Sequence, residues 1–140
     1  MSRLNTYRTP SFMEKFIAAT SYIFPMAGFV VIILAALMKK DMKPFLKYHI
    51  YQSIFISILV FLVIYGLQFA MNLISYIPII KNIVSMITFM LNTPILLGFS
   101  VVTFGYFVFI LYLIIGVLKG SDSYVPWVSD IIKSNLRGQI

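Results

Sequence analysis

Lys43-Pro44-Phe45-Leu46-Lys47-Tyr48-His49-Ile50-Tyr51-Gln52-Ser53 is where the chain leaves a basic loop for its longest helix-forming run. Pro44 suits the first turn of a helix, where its missing N–H would have had no partner. Lys43 and Lys47 can lay their aliphatic stems along apolar surface and keep their ammonium groups in a polar layer. His49, Gln52 and Ser53 then carry polar groups past that boundary into apolar surroundings. One hydrophobic segment with a basic flank precedes the stretch. A larger hydrophobic block with a basic tail follows it.

Composition decides what kind of surroundings these are. Of 140 residues, 61% are hydrophobic and 11% charged, and the mean hydropathy is +0.97. A small soluble domain leaves too much of its surface near water to hide that much apolar area. Residues 16–38 contain no charge and would form a helix of about 35 Å, enough for a hydrocarbon core of roughly 30 Å. Residues 48–80 and 82–118 are each too long for one span, and only Lys81 divides them. The expected class is an all-α integral membrane protein in one domain, 1–140. Four hydrophobic helices are expected to bundle over 16–38, 44–73, 78–91 and 94–118. A basic loop falls at 39–47 and an amphipathic tail at 119–140.

The net charge of +7 is spread over the polar segments, as expected for flanks that touch anionic headgroups and not for a nucleic-acid site. Without cysteine there is no disulfide framework, thiolate ligand or Cys nucleophile. Arg3, Arg8 and Lys15 precede the first run like the basic end of a signal peptide. That run is too long for a signal core, however, and is read as a retained span.

Taken in order, residues 1–10 read as a mobile tail, and Ser11-Phe12-Met13-Glu14 fits a capping box. Pro25, with Gly28 one turn on, predicts a kink in the first span. In the second helix His49, Gln52, Ser53, Ser57, Tyr65, Gln68 and Asn72 recur mostly at spacings of three and four, on one broad face. Facing lipid, each amide or imidazole would cost several kcal/mol, on the order given for unsatisfied polar groups. The face therefore either packs against other helices, at about 0.6 kcal/mol per contact, or lines a polar path.

Ser75-Tyr76-Ile77-Pro78 ends that helix. The segment 78–91 is short and either spans a thinned bilayer with Lys81 snorkelling or lies as a re-entrant or interfacial helix. Asn92-Thr93-Pro94 is a turn, with Asn92 as a cap and Pro94 opening the last span. Gly98 and Gly105, seven apart, read as a packing seam. Gly120 terminates the helix, and Tyr124 and Trp127 fit an aromatic belt. Val128, Ile131, Ile132 and Leu136 make the tail a surface amphipathic helix, or one that docks on a partner. With four spans, seven Lys and Arg share a side with both termini and four, all in 39–47, lie opposite; the termini are then cytoplasmic or stromal. Without the third span the preference reverses.

Glu14, Asp41, Asp122 and Asp130 all lie outside the hydrophobic runs, which argues against a carboxylate-based proton relay or ion-coupled transporter. One His without further ligands makes no metal site. Paired catalytic carboxylates, a Ser–His–acid set and a Gly-rich phosphate loop are lacking. No enzyme activity, metal or cofactor is expected.

Three pieces, KFIAATSYIFPM (15–26), PFLKYHIYQSIFISIL (44–59) and MLNTPILLGFSVV (90–102), the last running on through YLIIGVLKGSDSYVPWVSDI (112–131), resemble the Tic-twenty family. That family comprises the twenty-kilodalton core subunit of the protein translocon at the chloroplast inner envelope membrane, with cyanobacterial and other bacterial relatives. The family-like positions are Phe45, Lys47, Tyr48, His49 and Gln52, then Gly120, Pro126, Ser129 and Asp130. Ser53 stands where the family often has Ala, and no long segment precedes the first span. The second departure points to a bacterial or plastid-encoded member, in the plasma membrane or the plastid inner envelope. The resemblance implies a channel or core subunit in protein transport. Its partners would be membrane lipids, other translocon subunits, preprotein substrates and further copies of itself. A non-conducting assembly or stabilising factor of a larger membrane complex is the alternative.

Overall fold

The computed structural model describes residues 9–39, 41–96 and 98–136. The expected N-terminal tail up to residue 8, Lys40 of the basic loop, and Arg137 with the end of the tail lie outside that range. Among the described residues there are six helices: α1 (Phe12–Ile23), α2 (Pro25–Leu37), α3 (Pro44–Ile74), α4 (Pro78–Asn92), α5 (Val101–Lys119) and α6 (Val128–Leu136). A short antiparallel hairpin, β1 (Pro94–Leu96) with β2 (Phe99–Ser100), separates α4 from α5. The described chain is all-helical apart from this hairpin, its turns and its connecting loops.

Among the described residues two helices are long and apolar enough to cross a membrane. They are α3, with 31 residues, and α5, with 19. Their most apolar stretches have mean hydropathies of 2.4 and 2.6 and are only 6% and 11% buried. A core helix of a water-soluble protein would be covered by its neighbours; these two are not.

The chain divides into two compact units. Met1–Ser57 with Ile110–Ile140 makes the first, and Ile58–Phe109 the second. The first holds the core: Ala18, Tyr22, Leu46, Tyr48, Ile50, Ile56, Leu113, Val117, Val128, Ile132 and Leu136 are all buried. In the second unit no described residue is buried.

The span expected over 16–38 is two helices, not one kinked helix. Phe24 sits between them with φ −127° and ψ 87°, the extended bias imposed on a residue before proline. Its N–H closes α1 on the Thr20 carbonyl at 2.8 Å, and Pro25 opens α2. The reversal is then fixed by packing. A Cβ at Gly28 would lie 3.0 Å from Ser21 Oγ and 3.1 Å from Ile50 Cγ2, so α2 presses against both α1 and α3 at its glycine. Phe16 and Ile17 of α1 and Ala27 and Val31 of α2 line one shared recess of about 190 Å³.

The helix expected from Pro94 starts at Val101. Ser100 caps it, its Oγ accepting from the Thr103 N–H at 3.3 Å. Gly98, at φ +82°, occupies the hairpin turn, where glycine has no Cβ penalty. It therefore cannot share a helical seam with Gly105, beside which nothing lies within 4 Å of a built Cβ. Asn92 donates back to the Thr88 carbonyl at 2.8 Å, ending α4 instead of capping a new helix.

Other expectations hold closely. The capping box is present, with Glu14 N–H to Ser11 Oγ at 3.4 Å and Ser11 N–H to Glu14 Oε2 at 3.1 Å. Gly120, at φ +75°, terminates α5 in a Schellman arrangement. Its N–H bonds the Val117 carbonyl at 2.8 Å, and that of Ser121 the Gly116 carbonyl at 3.1 Å. The α6 helix is amphipathic, but Val128, Ile132 and Leu136 are buried. That apolar face is covered by the chain itself and is not free to lie on a membrane surface; only Ile131 remains exposed.

Candidate functional site: a buried polar network

The first turns of α3 place Tyr48, His49, Gln52 and Ser53 toward the interior of the first unit, where each is buried. The Tyr22 hydroxyl, from α1, donates to Gln52 Oε1 at 2.6 Å and lies 3.0 Å from His49 Nδ1. A phenol has one hydrogen, and Gln52 Oε1 can only accept. The network therefore assigns the proton of the His49–Tyr22 contact to Nδ1, and leaves Nε2 as a lone pair. Nε2 is buried and has no hydrogen-bond partner. Phe45, Tyr48 and Tyr22 surround the imidazole edge-on, with ring centroids 4.5, 5.1 and 6.0 Å away.

On its other side Gln52 reaches the segment after α5. Its Nε2 donates to the Ser123 carbonyl at 2.9 Å and to Ser129 Oγ at 3.2 Å. Ser129 Oγ also receives the Tyr48 hydroxyl at 2.9 Å and the Val125 N–H at 2.8 Å. Ser123 Oγ donates to the Leu113 carbonyl at 3.2 Å, and a Cβ built at Gly116 would stand 1.7 Å from that oxygen. Only glycine lets residues 121–124 fold so closely onto α5. Lys133 places its ammonium 5.7 Å from the Tyr48 ring centroid.

The family-like positions thus largely converge. Tyr48, His49, Gln52 and Ser129 share one network, with Phe45 against the imidazole, and Gly120 sets up the turn that returns the chain to it. Lys47 is half-buried beside them. Pro126 and Asp130 are exposed at the rim, where Asp130 Oδ2 accepts from the Tyr124 hydroxyl at 3.0 Å. That bond, to an ionised carboxylate, holds the Tyr124 phenol above its ordinary range.

The expected polar face divides in two. His49, Gln52 and Ser53 are sealed inside, and Ser57 returns its hydroxyl to the Ile54 carbonyl at 2.8 Å. Tyr65, Gln68 and Asn72, in the second unit, are exposed, Tyr65 by 58%. The first group forms a packing face and lines no open path in this conformation. Tyr22, Ser123 and Gly116 have no role foreseen from sequence. The usable signal was that a tyrosine and a serine within or beside apolar runs need partners.

At the mouth of this unit Glu14 Oε1 accepts a charge-assisted hydrogen bond from Lys43 Nζ, which holds the Glu14 carboxyl below the ordinary carboxylate range. Lys15 Nζ donates to the Leu118 carbonyl at 2.9 Å, at the end of α5. Among the described residues no three His, Asp or Glu side chains gather as they would around a metal ion. The arrangement ties α1, the start of α3 and the segment after α5 together. Comparisons with protein-family models, with curated proteins and with solved structures find no match.

Proposed function

We propose that the chain is an integral membrane subunit of a preprotein translocon, crossing the bilayer through α3 and α5. The observation that carries the membrane part is the bare apolar surface of those two helices. Leu62, Phe69, Val102, Phe107 and Leu111 all stand exposed on them, far more than a soluble monomer leaves in contact with water. The transport part rests on the resemblance and on Tyr65, Gln68 and Asn72, polar groups presented on an otherwise apolar surface of α3. A path for unfolded chains has to be hydrated and chemically tolerant, which neutral hydroxyl and amide groups satisfy without a fixed charge. Preproteins, other translocon subunits and further copies of this chain are the partners proposed. The membrane is a bacterial plasma membrane or a plastid inner envelope, with both termini on the cytoplasmic or stromal side.

Site-specific photocross-linking tests this. Probes at Gln68 and Asn72 should capture an arrested precursor, and a probe at Ser53 should not. Capture of only a stable membrane partner would favour the second reading, a non-conducting assembly factor. The burial of Gln52 under its bonds to the Ser123 carbonyl and Ser129 Oγ favours that alternative, because it closes this turn of α3 to any passing chain.

A further inference from the structure

We propose that α1 and α2 form a re-entrant hairpin that dips into one leaflet and leaves by the same face, so that α3 and α5 are the only crossings. This rests on the membrane reading above and goes beyond it by fixing the topology.

The ends of the first hydrophobic segment meet. Glu14, in the first turn of α1, is paired with Lys43, immediately before α3. A single helix over 16–38 would hold residues 14 and 43 more than about 35 Å apart, on opposite faces. Neither half is long enough alone: α1 has 12 residues and α2 has 13, about 18 and 20 Å against a hydrocarbon core of roughly 30 Å. The contact of Gly28 with Ser21 and Ile50 shows the same reversal from inside. Backbone at the Phe24 turn is satisfied within the hairpin, its N–H on the Thr20 carbonyl at 2.8 Å and its own carbonyl accepting from the Ala27 N–H at 2.9 Å, as membrane depth requires.

Parity then settles α4. Lys15 Nζ bonds the Leu118 carbonyl, and Gln52 and Tyr48 bond Ser123 and Ser129. The start of α3 and the end of α5 therefore lie on one face of the bilayer. An even number of crossings must separate them, and α3 and α5 supply two. A third by α4 alone would leave the wrong parity, so α4, with 15 residues, is interfacial or re-entrant. The shared face is the basic one: of eleven Lys and Arg, only Lys81 falls between residues 58 and 109. Lys15 and Lys43 bond at this end and Lys133 approaches the Tyr48 ring, basic groups of the kind that meet anionic headgroups of a cytoplasmic leaflet.

The absence of native cysteine makes the test direct. Single variants Thr9→Cys, Asp41→Cys, Tyr76→Cys, Asn92→Cys and Asn135→Cys, all at exposed positions, are treated with a membrane-impermeant maleimide in sealed vesicles of both orientations. Positions 9, 41 and 135 should label together from the cytoplasmic side, and 76 and 92 together from the other. Labelling of 9 and 41 from opposite sides overturns the hairpin, and labelling of 76 and 92 from opposite sides overturns the parity assignment. As an independent check on folding, the pair Glu14→Cys with Lys43→Cys should join through a short bis-maleimide in the membrane; no joining counts against the hairpin. Release of the wild-type chain by alkaline carbonate would overturn the membrane reading itself. Retention with split labelling overturns only the topology.

Discussion

Replacing Gln52 by Leu removes two donations, to the Ser123 carbonyl and to Ser129 Oγ, and strips the Tyr22 hydroxyl of its acceptor. Each buried group left unpaired costs about 1–3 kcal/mol. Gln52→Leu should therefore lower the thermal midpoint in detergent clearly, whereas Gln68→Leu, on an exposed surface, should change stability by less than about 0.5 kcal/mol. A cycle of Tyr22→Phe with Gln52→Leu should show coupling of about 0.5–3 kcal/mol; additive losses would mean that the contact is idle. Gly116→Ala forces a carbon into the space of Ser123 Oγ and should destabilise by about 1–3 kcal/mol, the usual cost of overpacking. Ser123→Gly, which vacates the space, should restore most of that loss. That His49, Gln52 and Ser53 needed partners was legible, because polar groups inside apolar runs are rarely left alone. Which partners they find was not. Tyr22 lies 30 positions and Ser123 71 positions from Gln52, and no local period connects them.

Helix ends carry their own chemistry, and here the sequence was most readable: Ser11 and Glu14, Pro44, Pro78 and Gly120 all stand where local rules put them. What local rules could not decide was how far the chain bends at Pro25. A missing N–H permits either a kink or a break, and the choice falls to Gly28 meeting Ser21 and Ile50 from other turns. The same blindness hid the start of α5, since Pro94 suits a strand end as well as a first helical turn. The cap of α1 also predicts a pH dependence. The Glu14 carboxyl is held low chiefly by its hydrogen bond from Lys43, so its folded value lies below its unfolded one. Its contribution is present above the ordinary range near 4.5 and is lost as pH falls through the lowered value. Thermal midpoints should show Glu14→Gln below wild type at pH 7, by no more than the about 0–1 kcal/mol of an exposed pair, with the difference vanishing as pH falls through that lowered value. Trp127, the one tryptophan, is 81% exposed at φ +65° ahead of α6. Its fluorescence in lipid vesicles should be quenched by headgroup-level quenchers and spared by quenchers at the bilayer centre.

At the scale of the whole chain, charge and burial divide the same way. The segments that pack a core, Met1–Ser57 with Ile110–Ile140, carry every acidic residue and all the Lys and Arg but one. The stretch between them has apolar surface and, among its described residues, none that is buried. If the chain crosses a bilayer as proposed, its Lys and Arg would orient it, because moving them across costs more than keeping them on the cytoplasmic face. Charge should therefore set orientation without being needed for folding, since the network around Gln52 is built from neutral groups. Lys39→Gln, Lys119→Gln and Lys133→Gln together, with Ser75→Lys and Tyr76→Lys added to the connection after α3, reduce the asymmetry from both sides while leaving Glu14–Lys43 and the Gln52 bonds intact. Protease protection of a tag at the C-terminus should then report a mixed population, part of it inverted, while the thermal midpoint of the purified protein shifts little. A uniform orientation in that variant would mean that the hairpin, and not the lysines, decides which way the chain enters.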